Sequence, residues 1–172
     1  MTKAEIVAMY PDVDINESGG LDNFRDGEPI IERDPIAVII KHPSDDLYLI
    51  AKWSNDWCGF LTGGIEEGDT VENTVRKEIL EETGFVNINF IKELDCVSHG
   101  LFYHIVKHVN RLAHYHLVSA ILSDLEQKEV SEEELTIAKF VWVKKGDVEN
   151  MLTRRDMKKL WRFYLESESI KF

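Results

Sequence analysis

Basic residues are scarce in this chain: 20 Lys and Arg stand against 32 Asp and Glu, a formal charge of −12 over 172 residues. A broad nucleic-acid footprint needs Lys and Arg to displace phosphate counterions, so this balance opposes a nucleic-acid partner. Cysteine is scarcer still. Cys58 and Cys96 lack any CxxC or Cys/His ligand spacing, and two free thiols in a reducing compartment fit them better than one disulfide. Long apolar runs are also missing, and nothing approaches the roughly 18 consecutive apolar residues of a membrane span. The opening MTKAEIVAMYPDVD lacks the basic, apolar, small-residue order of a signal peptide, so a cytoplasmic protein without a membrane partner is the expectation. No internal repeat, low-complexity tract or linker divides the chain. What is present is a globular composition, 44% hydrophobic with 8 Phe, 5 Tyr and 4 Trp, enough for one domain with a sizeable core.

Along the chain, residues 1–33 are polar and acidic, punctuated by turns at Ser18–Gly20 and Asp26–Pro29, and read as a loosely structured arm or lid. Residues 34–172 read as the domain proper. IAVIIKH and LYLIAKW, separated by the turn HPSDD, predict a hairpin of buried strands. In TVENTVRKEILEETG, Val71, Val75 and Ile79 recur at helical spacing, with Asp69 or Thr70 available as cap, Asp69 and Glu72 resembling a capping box, and Gly84 as stop. FVNINFIKELDCVSHG and LAHYHLVSAIL predict strands, EQKEVSEEEL an acidic loop, and KFVWV a last short strand. The tail TRRDMKKLWRFYLES places Met157, Leu160, Trp161, Tyr164 and Leu165 on one helical face, as in a helix closing over a sheet. The class is α/β.

Positions three and four apart share a helix face, so Glu78, Glu81 and Glu82 project three carboxylates to one side, with Glu66 and Glu67 in the loop before them. Like charges so placed are either solvated or organised around a hard divalent cation, which prefers oxygen ligands. The glycine-rich entry GGIEEG lets main chain approach the same helix. The stretch Gly63 to Phe85, GGIEEGDTVENTVRKEILEETGF, resembles the Nudix box, a 23-residue loop-helix-loop of pattern G-x5-E-x7-R-E-U-x-E-E-x-G-U, where U is a bulky aliphatic residue. Gly63, Glu78, Ile79, Glu81, Glu82 and Gly84 fall on fixed positions, and Phe85 stands at the last U. Two positions depart, Asp69 for the first glutamate and Lys77 for the arginine. Lysine lacks the planar two-pronged contact of arginine, and the neighbouring Arg76 is turned by about 100° on the helix, so it is no direct substitute.

The resemblance implies an α/β/α sandwich with a mixed β-sheet and hydrolysis of a phosphoanhydride in a nucleoside diphosphate linked to another moiety. It implies Mg²⁺ or Mn²⁺ held by Glu78, Glu81 and Glu82, with the carbonyl of Gly63 as a further ligand. Family members often take a general base from a helix glutamate or a later loop, which brings in Glu81, Glu82 and, from Glu132 to Glu134, Glu134. The alternative is a non-catalytic Nudix-fold module that binds a nucleotide or regulates, a reading the two departures keep open. Homodimers are common among similar proteins. Trp53, Trp57, Phe102 and Tyr103, in or near the loops around the box, could stack on a base, although each also suits core packing. His114 and His116 would share one strand face, but neither cysteine partners nor a helical HExxH accompany them.

The negative charge is unevenly placed. Met1 to Asp34 carries three basic and nine acidic residues, the box two and seven, and Asp124 to Glu134 one and six, whereas from Lys144 onward eight basic residues face five acidic. The box and the later acidic segment are expected to converge around divalent cations, which would let an acidic protein take an acidic substrate.

Overall fold

The computed structural model describes residues 1–170. In chain order the elements are α1 (Lys3–Met9), β1 (Asp14–Ile15), β2 (Ile30–Arg33), β3 (Pro35–Lys41), β4 (Leu47–Trp53), β5 (Cys58–Gly59), β6 (Leu61–Gly64), α2 (Val71–Thr83), β7 (Ile88–His104) and β8 (Val109–Leu122). There follow α3 (Glu132–Ile137), β9 (Ala138–Lys144), a 3₁₀ turn at Lys145–Asp147, the one-turn α4 (Val148–Met151) and α5 (Arg155–Ser169). Among the described residues no helix is long and apolar enough to cross a membrane.

The mixed sheet is organised around β3 and β8, which run parallel from Ile36 opposite His116 to Lys41 opposite Ile121. β7 pairs antiparallel with β8 along nearly its whole length, with irregularities near Phe90 and between Glu93 and Val97. β3 and β4 form the expected hairpin only at its closed end, Ile40 opposite Leu49 and Lys41 opposite Tyr48. They then part, β3 to take β6 and β4 to take β9.

Alternation along β3 divides the core into two layers. Ile36, Val38 and Ile40 pack with Val75 and Ile79 of α2 and with Phe85, while Ala37 and Ile39 face Leu160, Trp161 and Tyr164 of α5. A strand buried on both faces needs the near-continuous apolar run PIAVIIK. Trp161, 1% exposed, meets Tyr48 edge-on at 4.9 Å and stacks with Tyr164 at 5.5 Å. Each such buried side chain contributes on the order of 2 kcal/mol. The sandwich of helix, mixed sheet and helix is therefore present as expected.

Residues 1–33 are more structured than the sequence suggested. α1 opens on a capping box between Thr2 and Glu5, β1 runs parallel to β7 at Gly100 and Leu101, and β2 runs parallel to β8 from Asn110 to Ala113. Ile6, Val13, Leu101 and Leu112 form a third apolar cluster beneath them. The buried Asp14 carboxylate accepts from Arg155 Nε at 3.1 Å and ion-pairs with Arg154 at 3.1 Å, while the Asp14 carbonyl accepts from Arg154 at 2.8 Å. The polar composition concealed this because a few apolar residues and one buried carboxylate do the anchoring. The acidic segment near residue 130 is likewise a short helix, α3, rather than a loop, with Ser131 as its cap accepting from Glu134 N at 3.2 Å.

Candidate functional site

α2 is held at both ends by local chemistry. Thr70, not Asp69, is its cap, accepting from Asn73 N at 3.1 Å; Asp69 instead accepts from Thr70 N at 3.2 Å, and the expected capping box with Glu72 is not made. Arg76 donates to Glu72 one turn earlier on α2, so it does not stand in for the arginine that Lys77 replaces. Gly84 ends the helix in the left-handed region at φ +77°, where a side chain would also run into the Lys128 carbonyl. Lys128 N donates to Gly84 O at 2.8 Å, and the Gln127 side chain donates to Thr83 O at 2.8 Å. These bonds lay the segment leading into α3 against the end of α2, which is how Glu134 comes to act on the helix glutamates.

Glu78 and Glu82 are half-buried and turned toward this junction, while Glu81 is exposed. Burial pushes the Glu82 carboxyl up to about 8, helped by the charges of Glu78, Glu134 and Glu81. Burial and then Glu81 raise Glu78 as well, with smaller contributions from Glu134 and Glu66 in the same direction. The box and the later acidic segment are thus close enough to repel one another. Gly63, paired with Ile36 in the sheet, faces the same group: a Cβ there would lie 2.5 Å from Cγ and Cδ of Glu78. Only a glycine lets main chain come so near this carboxylate.

The two departures from the box pattern have a structural outcome. Lys77 reaches Glu66, at 3.4 Å, and that carboxylate is the first cause of its raised pKa. Glu66 O in turn accepts from Asp69 N at 3.0 Å, so the loop-helix junction is closed through Glu66 instead of through a longer acid at 69.

Among the described residues no three His, Cys, Asp or Glu side chains form a ready-made metal cage. What Glu78, Glu81, Glu82 and Glu134 form is a set of hard oxygen donors whose repulsion a divalent cation would relieve, and the bare main chain at Gly63 leaves room beside them. The residues fit such an ion.

Next to this cluster lies a cavity of about 900 Å³, lined by Thr62, Gly63 and Gly64 at one side and by Trp53, Trp57, Phe102 and Tyr103 among others. All four aromatics singled out from the sequence border it, though not equally. Trp57 and Phe102 meet edge-on at 5.4 Å, whereas Tyr103 is 3% exposed with the Arg25 guanidinium 3.6 Å above its ring. Sequence reasoning missed Arg111, Arg154 and Asp156, which also line the cavity. Arg154 is buried, bound to Asp14 and 3.7 Å from Asp156, and sits 4.8 Å from the Trp57 ring. No local pattern marks these residues, because strands and a helix far apart in sequence bring them together.

Solved structures with this fold include the E. coli dihydroneopterin triphosphate pyrophosphohydrolase, 13% identical with a TM-score of 0.58, covering 78% of this chain and 95% of that one. The Nudix domain of Shewanella oneidensis NrtR, complexed with ADP ribose, is 18% identical with a TM-score of 0.59 over 98% of this chain and 99% of its own. A C. elegans Ap4A hydrolase binary complex is 14% identical, TM-score 0.53, over 80% and 98%. The NrtR domain's coverage takes in the N-terminal elements as well. No curated protein sequence matches the chain. The NUDIX domain family model matches residues 32–164, from β2 into α5, and the chain belongs to the NUDIX family.

Proposed function

We propose that this chain is a divalent-metal-dependent hydrolase of a phosphoanhydride bond in a nucleoside diphosphate linked to another moiety. Glu78, Glu81, Glu82 and the Gly63 carbonyl would hold Mg²⁺ or Mn²⁺. When bound, such an ion neutralises phosphate charge and lowers the pKa of water. Glu134 accepts a proton from the attacking water, and Trp53, Trp57 and Phe102 hold an aromatic or other flat moiety in the cavity.

The observation that carries this reading is the double position of Gly63. Its main chain faces Glu78 on one side and lines the aromatic cavity on the other. A diphosphate lying across Gly63 would therefore meet the carboxylate cluster while its attached moiety entered the cavity.

The test is Mg²⁺-dependent release of phosphate or nucleotide from ADP-ribose, NADH, dinucleoside polyphosphates, nucleotide sugars and oxidised dNTPs, with Glu82→Gln beside wild type. The expected result is turnover of at least one compound, reduced about 100-fold or more in Glu82→Gln. Nucleotide binding without turnover of any compound would point to a binding or regulatory module. Equal activity in Glu82→Gln would overturn the site assignment.

A further inference from the structure

The charged side chains that line the cavity are unequally partnered. Of its acids, Asp22 accepts from Asn55 at 2.9 Å, Glu32 lies 3.6 Å from His114, Asp34 lies 3.5 Å from His116, and Asp156 accepts from Met157 N and lies near Arg154. Of its arginines, Arg154 is bound to Asp14. Arg111 has no such partner: its Nε is buried without a hydrogen-bond acceptor, and it makes no ion pair among the described residues. Arg33, on the neighbouring strand and also lining the cavity, bonds only the carbonyl of Glu32 among the described residues, at 3.0 Å, and its charge adds to that of Arg111.

Arg111 is half-buried, and a buried guanidinium nitrogen with an unmet donor costs stability unless something else supplies the acceptor. Burial lowers the pKa of Arg111, and Arg33 acts in the same direction. Tyr115 acts in the opposite direction but supplies the buried Nε with no hydrogen-bond acceptor. Two guanidiniums lining one cavity match a doubly charged anion better than a single carboxylate, because arginine binds phosphate oxygens in a two-pronged fashion.

We propose that Arg111, assisted by Arg33, is a specificity residue that binds a phosphate monoester on the moiety attached to the diphosphate. The proposal rests on the reading above, in which the diphosphate lies across Gly63. Gly63 is level with Ile36 and His116 in the sheet, and Arg111 stands five residues from His116 on β8, about 16 Å at the rise of a strand. The reach of the arginine side chain shortens that span, and a ribose carrying both the diphosphate and the monoester fits within it. Arg111 therefore reads a part of the ligand that the carboxylate cluster does not touch.

Two matched pairs isolate this contact, NADPH against NADH and coenzyme A against dephospho-coenzyme A, since each pair differs by one ribose phosphate. Wild type should favour the phosphorylated member of at least one pair by about tenfold or more in kcat/KM. Arg111→Gln should bring that ratio close to one, and Arg111→Lys should keep part of it, with thermal melts confirming that both variants fold. A wild-type ratio near one in both pairs overturns the proposal, as does a proportionate loss on both members in Arg111→Gln. Should none of the four be hydrolysed, calorimetric affinities for the same compounds decide it by the same ratios. Hydrolytic inactivity would then count against the proposed activity alone, while failure to bind any of the four would overturn the Arg111 assignment.

Discussion

Gly63 and Glu78 are packed so closely that a Cβ on residue 63 would lie 2.5 Å from Cγ and Cδ of Glu78 and 2.8 Å from its Oε1. Such a contact cannot persist, so Gly63→Ala must turn the Glu78 carboxylate away from the cluster. The expected outcome is at least a tenfold loss of Mg²⁺ affinity by calorimetric titration. The metal-free melting temperature should change little, because Glu78 gains solvent and sheds repulsion from Glu81 as it moves. Unchanged Mg²⁺ affinity would separate Gly63 and Glu78 from metal binding.

Glu82 gives a pH signature. Its carboxyl, ordinarily near 4.5, is raised to about 8, chiefly by burial and then by Glu78. Folded metal-free protein therefore binds a proton that the unfolded chain has lost, and its stability falls as pH rises from about 4.5 to about 8. Mg²⁺ bound at Glu82, as proposed, would displace that proton. Titrations at pH 7 in buffers of different ionisation enthalpy should show release of close to one proton per site, and Glu82→Gln should abolish that release. Glu82→Gln should also raise the metal-free melting temperature at pH 8. The same melting temperature in both proteins would mean that Glu82 carries no burial penalty.

Much of this architecture was legible because periodicity and the box motif are local. Val71, Val75 and Ile79 gave the buried face of α2, PIAVIIK gave a strand covered on both sides, and Met157, Leu160, Trp161 and Tyr164 gave the face of α5. The four cavity aromatics were legible from their nearness to the box. What escaped depends on contacts between distant segments. Asp14 looks like any acidic residue of a polar arm until Arg154, 140 positions on, makes it a buried anchor. Arg111 sits in a strand whose neighbours are mostly apolar or histidine, and only the cavity shows that its charge lacks a partner. Ser131 made α3 helical within a run of glutamates that resembled a solvated loop.

The Asp14 and Arg154 contact makes the N-terminal segment part of the cavity's support. Removing the carboxylate leaves a buried guanidinium with fewer acceptors, a change that costs about 3 kcal/mol or more. Asp14→Ala should lose that much in urea denaturation. It should also free Arg154 from its place beside Trp57, 4.8 Å away, so Trp fluorescence of the folded protein should change. A loss below about 1 kcal/mol would show that β1 is held by its apolar neighbours alone.

Asp156 is the second buried acid of this group, and it lines the cavity. Burial pushes its carboxyl up from 3.8 to about 6, against the pull of Arg154 in the other direction. Because the folded value lies above the unfolded one, the associated stability is complete below about pH 4 and is lost as pH rises through 6. The folded protein should lose roughly 3 kcal/mol from this group across that window. Asp156→Asn keeps the shape without the titration, so the difference in unfolding free energy between wild type and variant should move in the variant's favour between pH 4 and pH 7. Chemical denaturation at several pH values across that range measures it. A constant difference would mean that Arg154 neutralises Asp156 fully and that the carboxylate stays charged throughout.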